Sequence, residues 1–260
     1  MPTVRDFVAF LDDVAPLSLA EEWDNVGLLV GDQRRPVARV MTCLTLTPPT
    51  VAEAVEHDAD LVVVHHPLPF QPLRRMTTET AVGAMLLELI AAGVAVYSAH
   101  TAFDSAAEGI NHRLAQGVGL RGIAPLVPGE GVLGTGRTGW LETPTPLAVL
   151  AENVKQFLAI ERIALMGEPQ REVRLVGITC GAADDLLRPA IDAGCDCVLL
   201  GEARFHTCLE AEAAGISLLL PGHYASERFA MESLAGVLNR QFPQIEVWPA
   251  RREMDPLRWH

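Results

Sequence analysis

Blocks of apolar residues alternate with amphipathic and polar segments along this chain and predict strands and helices in turn. Short runs rich in Val, Ile and Leu predict buried strands at residues 37–44, 61–64, 94–98, 173–179, 198–200 and 217–220. Helical stretches are predicted near residues 50–57, 79–92 and 146–158. Thr3 with Asp6 resembles a capping box that opens a helix ending near Pro16. This alternation predicts an α/β fold of helices layered on mixed, largely parallel sheets.

Two adjacent histidines, His65 and His66, end the apolar run at residues 61–64 and precede Pro67. Ligands of open α/β sheets bind beyond the carboxyl ends of such strands, so the pair is a candidate for metal binding. Neighbouring residues of a strand point to opposite faces, which favours two neighbouring ions unless the backbone turns at the proline. The alternative is one hydrogen-bonded core histidine beside one surface histidine without function.

Three further segments place metal-ligand or acid–base side chains after a strand-like run. They contain His100 with Asp104, His223 with Glu227, and Glu202 with His206. In the first two pairs the acid follows the histidine by four residues, so a helix starting there would put both side chains on one face. A solvated helix pair without function is the alternative. Five of the eight histidines fall in these segments and the His-His run, which favours a shared site.

The two parts of the sequence repeat each other in order. Residues 60–66 align with 196–202, residues 91–94 before His100 align with 213–216 before His223, and residues 41–43 echo 178–180. We predict an internal duplication with two similar α/β halves, residues 1–125 and 126–260. The division is placed within residues 117–139, which contain eight glycines and two prolines and are predicted to be loop and linker.

Composition and charge limit the classes of function. The 260 residues are 49% hydrophobic, which is enough for a core, and the five cysteines form no Cys-x-x-Cys pair that would predict a zinc knuckle. The start of the chain lacks the pattern of a signal peptide, and no apolar run approaches the length of a membrane span. We therefore expect a cytoplasmic protein. The net charge of -13 works against general nucleic-acid binding.

Five ordered segments resemble the YbgI-like, or NIF-three-like, dinuclear metal-centre proteins, whose members are often labelled GTP cyclohydrolase 1 type 2 homologs. These segments are residues 22–28, 64–68, 99–104, 201–206 and 222–227. The resemblance implies two intertwined α/β halves and a homohexameric ring. It also implies two metal ions held by His65, His66, Asp104, His223 and Glu227, with the glutamate bridging. The chain departs from the family pattern at Ala102 and Phe205, neither of them in this ligand set.

Imidazoles and carboxylates together suit zinc, iron, manganese, cobalt or nickel and do not select among them. Two ions sharing a carboxylate could share a hydroxide that attacks carbon or phosphorus. The leading hypothesis is therefore a metal-dependent hydrolase of a small nucleotide-like or phosphorylated substrate, with His100, Glu202 and His206 orienting ligands or transferring protons; a structural role is the alternative for these three. Two other classes stay open: a metal-loaded regulatory protein without turnover, and a ring that encircles nucleic acid.

Overall fold

Helices and strands alternate through most of this protein, as a computed structural model shows for residues 1–129 and 133–258. Within these residues the α-helices are α1 (Val4–Val14), α2 (Pro48–Glu56), α3 (Ala81–Ala92), α4 (His100–Ser105), α5 (Ile110–Gly117), α6 (Leu147–Leu158), α7 (Leu187–Asp192), α8 (Phe205–Ala214) and α9 (His223–Gln241). Short 3-10 helices lie at Leu17–Leu19 and Asp184–Leu186. None of these helices is long and apolar enough to cross a membrane.

Strands in the described residues form three sheets. They are β1 (Gly27–Val30), β2 (Arg39–Thr45), β3 (Leu61–His66), β4 (Ala95–Ser98), β5 (Arg121–Ala124), β6 (Val127–Pro128), β7 (Gly134–Thr135), β8 (Arg137–Pro146), β9 (Ala164–Met166), β10 (Glu172–Thr179), β11 (Cys197–Leu200), β12 (Ser217–Leu220) and β13 (Glu246–Pro249). This confirms the mixed α/β class.

The chain folds into two compact units, Met1–Phe103 with Ala230–His260 and Asp104–Phe229. This division differs from the predicted halves, residues 1–125 and 126–260. Strand pairing explains why both boundaries differ. Strand β13 pairs with β2 and so returns the end of the chain to the first sheet, whereas β5 pairs with β8 in the second sheet.

The first unit contains a five-stranded sheet in the order β1-β4-β3-β2-β13. Strands β13, β2, β3 and β4 are parallel, and β1 pairs antiparallel with β4 at one edge. Helices α2 and α3 contact each other, and their buried residues pack against this sheet through Val51, Val62, Leu89 and Val96. Because β3 lies between two parallel neighbours, its side chains are buried on both faces, as its unbroken apolar sequence predicts.

The second unit contains a six-stranded sheet in the order β5-β8-β10-β11-β12-β9. Strands β10, β11 and β12 are parallel, and β5, β8 and β9 are antiparallel additions. The glycine-rich segment 117–139, predicted to be a linker, forms β5, the β6–β7 pair and the start of β8, with Glu130–Val132 outside the described residues. Leu120 and Arg137 are buried, so this segment packs onto the unit at these positions, whereas β5 and β6 are mostly exposed.

Strand pairing in the two units follows the predicted duplication. Leu61 lies opposite Ala95 across β3 and β4, and the matching positions, Cys197 and Ser217, lie opposite each other across β11 and β12.

The predicted sequence signal at the start of α1 is also confirmed. Thr3 forms the predicted capping box with Asp6, and its backbone amide donates to Asp6 Oδ2 over 2.6 Å.

Candidate metal-binding residues in each unit

Three histidines of the first unit lie together at the carboxyl ends of parallel strands. His65 and His66 end β3, and His100 follows β4 as the first residue of α4. The ring centroids are 5.0 Å apart for His65 and His66, 5.0 Å for His65 and His100, and 5.7 Å for His66 and His100. One nitrogen of each ring lies within 4.8 Å of the others, a spacing at which all three could hold metal.

Asp24 fixes the ring of His100. Its Oδ1 lies 2.8 Å from His100 Nδ1, and its Oδ2 accepts hydrogen bonds from the backbone amide and hydroxyl of Thr101. Burial alone would raise the pKa of Asp24, but the hydrogen bonds from His100 and Thr101 outweigh it and hold the pKa below its ordinary value. An ionised carboxylate can only accept, so His100 donates from Nδ1. Its other nitrogen thereby carries the lone pair that a metal ligand needs.

The backbone of His100 is in the left-handed region, with φ of +30°. Residues other than glycine seldom adopt such values and do so where surrounding contacts outweigh the strain, often at functional sites. Asp24 and Thr101 supply those contacts here.

His65 and His66 are also held by neighbouring strands. Thr45, opposite His66 in the register of β2 and β3, places its hydroxyl 2.7 Å from His66 Nδ1. Ser98 on β4 donates from its hydroxyl to the carbonyl of His65 over 2.6 Å. His65 is 1% exposed. Thr45 thus orients the imidazole of His66 through Nδ1, as metal ligands commonly are oriented, and Ser98 holds the backbone at His65.

In the second unit, His223 begins α9 and Glu227 lies one turn further along the same face, as the spacing of four predicts. His223 Nε2 lies 3.1 Å from Glu227 Oε2, and His223 Nδ1 lies 2.9 Å from Glu202 Oε1. The hydrogen bond to Glu227 is the main reason why the pKa of His223 is raised to about 9. Glu202 raises this pKa further, and burial lowers it. Without metal this imidazole is therefore protonated at neutral pH, and a metal ion would have to displace that proton.

Gly181 leaves the space that Glu227 occupies. Its φ is +62°, and a Cβ placed on it would lie 2.3 Å from Glu227 Oε1 and 3.4 Å from His223 Nε2. Its amide donates to Ser226 Oγ over 3.0 Å, and Ser226 donates in turn to the carbonyl of His223 over 2.8 Å. Both the close approach and the positive φ require glycine at this position.

Asp104, the first residue of the second unit, lies near the end of α4 and contacts other residues of that unit. Cys180 Sγ lies 3.1 Å from Asp104 Oδ1, and Asn111 donates to the Asp104 carbonyl over 3.2 Å while accepting from the Cys180 amide over 2.7 Å. Burial chiefly raises the pKa of the Cys180 thiol, and the negative charges of Asp104 and Glu227 add to this effect. Cys180 therefore stays a neutral thiol that donates to the carboxylate.

The other predicted residues differ in their surroundings. Glu202 Oε1 lies 2.9 Å from His223 Nδ1. His206 is exposed on α8 and its ring lies 5.9 Å from that of Phe205. At the two departures from the family pattern, Ala102 is fully buried and Phe205 is 72% exposed.

Sequence reasoning assigned no role to five residues that orient these groups: Asp24, Thr45, Asn111, Cys180 and Ser226. Asp24 lies in one of the segments that carry the resemblance, and Cys180 lies in the repeated segment 178–180. Their positions in these segments did not indicate that Asp24 contacts His100 or that Cys180 contacts Asp104, because the residues of each pair are distant in sequence.

The sequence profile described as Duf34/NIF3 (NGG1p interacting factor 3) matches residues 2–256, so the chain belongs to the DUF34/NIF3 family. It is 34% identical to the GTP cyclohydrolase 1 type 2 homolog of Streptomyces coelicolor over 234 residues, covering 87% of this chain and 82% of that protein. It is 32% identical to NIF3-like protein 1 of Drosophila melanogaster over 253 residues, covering 95% and 86%.

Solved structures with this fold include a Bacillus cereus protein related to NIF3, with a TM-score of 0.94 at 21% identity over 100% of this chain and 99% of that chain. Reduced HcgD from Methanocaldococcus jannaschii has a TM-score of 0.85 at 23% identity, covering 96% and 98%. At these identities the similarity shows a shared fold.

Proposed function

We propose that this protein is a metal-dependent hydrolase that acts on a small nucleotide-like or phosphorylated substrate. The observation that carries the proposal is the histidine cluster of the first unit, in which three imidazoles present one nitrogen each within 4.8 Å. Asp24 and Thr45 orient two of these rings through Nδ1. A histidine whose second nitrogen is held by an oxygen is the usual arrangement of a metal ligand.

The donor set fits a pair of divalent ions. We propose His65, His66, Asp104, His223 and Glu227 as ligands of two ions, with Glu227 bridging, as the family resemblance implies. His100, whose ring belongs to the histidine cluster, is a further candidate. Nitrogen and carboxylate ligands suit zinc, iron, manganese, cobalt or nickel. When bound, the ions would acidify a water molecule and polarise the group it attacks.

Protein side chains would supply the proton transfers and the orientation. If His100 does not bind metal, its imidazole, oriented by Asp24 through Nδ1, would transfer protons. Glu202 orients His223 through Nδ1. His206, which is exposed on α8, stays a proposed residue for ligand orientation or proton transfer.

Metal analysis combined with a hydrolysis screen tests this function. Purified protein reconstituted with each candidate metal should bind more than one equivalent and hydrolyse at least one nucleotide or phosphoester. His65→Ala should remove turnover and lower metal content while the circular dichroism spectrum is retained. His57→Ala is the matched control, because His57 lies in the same unit with its ring 6.0 Å from that of Trp248.

The screen also separates the regulatory alternative. Stoichiometric metal without turnover of any nucleotide or phosphoester would favour a regulatory metal protein. Turnover that persists in metal-stripped protein would contradict the hydrolase proposal. We also propose a homohexamer, for which light scattering should give a mass near six chains; a monodisperse single chain would contradict this proposal and the nucleic-acid ring.

A further inference from the structure

Two exposed aromatic side chains flank the histidine cluster of the first unit. The ring centroid of Trp23 lies 6.0 Å from that of His100, and that of Phe70 lies 5.9 Å from it. Both rings meet the imidazole edge to face, at 78° and 77°. Trp23 is 59% exposed and Phe70 is 46% exposed. An exposed aromatic surface therefore contacts His100, which is a candidate metal ligand.

The two loops that carry these rings are tied to each other and to His100. Asn25 donates from Nδ2 to the carbonyl of Pro69 over 2.7 Å, which joins the loop of Trp23 to that of Phe70. Asp24, next to Trp23, holds His100, and Glu21 donates from its amide to Thr101 Oγ1 over 3.0 Å. These hydrogen bonds fix the positions of the Trp23 and Phe70 rings relative to the imidazole of His100.

We propose that Trp23, supported by Phe70, is a stacking platform for a planar heteroaromatic ring of the substrate, such as a nucleobase. Bases stack on exposed aromatic side chains with useful affinity and little sequence preference. A base on Trp23 would lie beside His100, with the rest of the nucleotide free to extend to the histidine cluster. The proposal rests on the proposed function for the reacting group and narrows its substrate class to nucleotides over simple phosphoesters.

The ring geometry leaves no room for a ligand between Trp23 and Phe70. The centroids of Trp23 and Phe70 are 5.9 Å apart at an interplanar angle of 44°, a separation at which the two rings already touch. A ring inserted between them would need two stacking separations of about 4.5 Å or more each. We therefore place the ligand ring on a face of Trp23 that Phe70 does not cover.

Titration calorimetry on zinc-loaded protein with adenosine 5′-monophosphate, guanosine 5′-monophosphate and ribose 5-phosphate tests the platform. The two nucleotides should bind at least about tenfold more tightly than the sugar phosphate, which lacks a base. Trp23→Leu should remove this difference, and Trp23→Phe should restore part of it. Phe70→Leu should weaken nucleotide binding to a smaller extent. Trp140→Leu is the matched control, because Trp140 is 54% exposed in the other unit.

Zinc content and mass are measured for every variant. Equal affinity of nucleotides and ribose 5-phosphate, or an unchanged preference in Trp23→Leu, would overturn the platform. Loss of zinc in Trp23→Leu would assign Trp23 to supporting the histidines, and a smaller assembly would assign it to contact with a second copy; each result overturns the proposal. Base-dependent binding without turnover would support the platform and contradict the hydrolase alone.

Discussion

Asp24 accepts a hydrogen bond from the imidazole of His100 across 76 positions of sequence, with 2.8 Å between Oδ1 and Nδ1. The carboxylate fixes one tautomer of His100 and so determines which ring nitrogen is available to a metal ion or to a proton in transit. The side chain of Asp24 is fully buried, so solvent competes little with this hydrogen bond.

Asp24→Asn should weaken zinc binding by about 10- to 100-fold, a typical effect of losing a partner that orients a ligand. An amide can donate to Nδ1 and so place the ring proton on the nitrogen that would face the metal. Competition with a chromophoric chelator measures the affinity. Asp32→Asn, at an exposed aspartate paired with Arg34, is the control. Equal zinc affinity in the two variants would show that His100 orientation does not matter for metal binding.

Glu227→Gln should reduce metal content more than Asp104→Asn does. A bridging carboxylate, as proposed for Glu227, neutralises two cations, whereas a terminal carboxylate such as Asp104 neutralises one. Loss of the Glu227 charge should therefore have the larger effect on metal loading. Elemental analysis after reconstitution measures the metal retained by each variant. The bridging assignment is wrong if Glu227→Gln keeps both ions at unchanged affinity.

Gly181→Ala should abolish metal loading through Glu227, because the new methyl group would lie 2.3 Å from Glu227 Oε1. Gly194→Ala is a closely matched control. Its φ of +74° imposes similar backbone strain, but nothing lies within 4 Å of the added carbon. Each variant should lose about 1 kcal/mol or more in unfolding free energy from that strain, and only Gly181→Ala should lose metal. Equal metal content in the two would contradict the close approach.

Burial, aided by Asp12, raises the pKa of Tyr97 well above 10, and its hydroxyl donates to Asp12 Oδ1 over 2.8 Å. The neutral phenol is favoured in the folded state, so its contribution to stability is complete below pH 10 and is lost as pH rises above that value. Wild-type unfolding free energy should fall faster than that of Tyr97→Phe, by up to about 1.4 kcal/mol per pH unit.

Denaturant titrations at several alkaline pH values measure this difference in slope. The chain has two tyrosines, so phenolate absorbance in Tyr224→Phe reports Tyr97 directly. Ionisation of that phenol near pH 10 in folded protein would show that Tyr97 is accessible to solvent.

The histidine positions at the end of β3 could be predicted from sequence because the cause is local. A short apolar run limits the strand, and His65 and His66 are the residues at which it ends. The pairs four residues apart, including His223 and Glu227, follow from helical geometry in the same way. The register of the duplicated strands also follows, because equal spacings in the two repeats give equal pairings.

The groups that orient the candidate ligands could not be predicted, because they depend on contacts between distant segments. Thr45 reaches His66 only through the register of β2 and β3, and Asp24 reaches His100 from a loop. The glycines of residues 117–139 predicted a linker, whereas tertiary pairing with β8 makes Arg121–Ala124 a strand. Backbone pairing with a neighbour outweighed local propensity there.

Strand β13, at Glu246–Pro249, has a consequence for synthesis on the ribosome. All six strands of the second sheet lie between residues 121 and 220, so every strand of that sheet is synthesised before β13. The first sheet waits for β13, which pairs with β2 from about 200 residues further along the chain, a contact of high sequence separation that forms late. Until then β2 presents an open edge on which a nascent chain is vulnerable to aggregation.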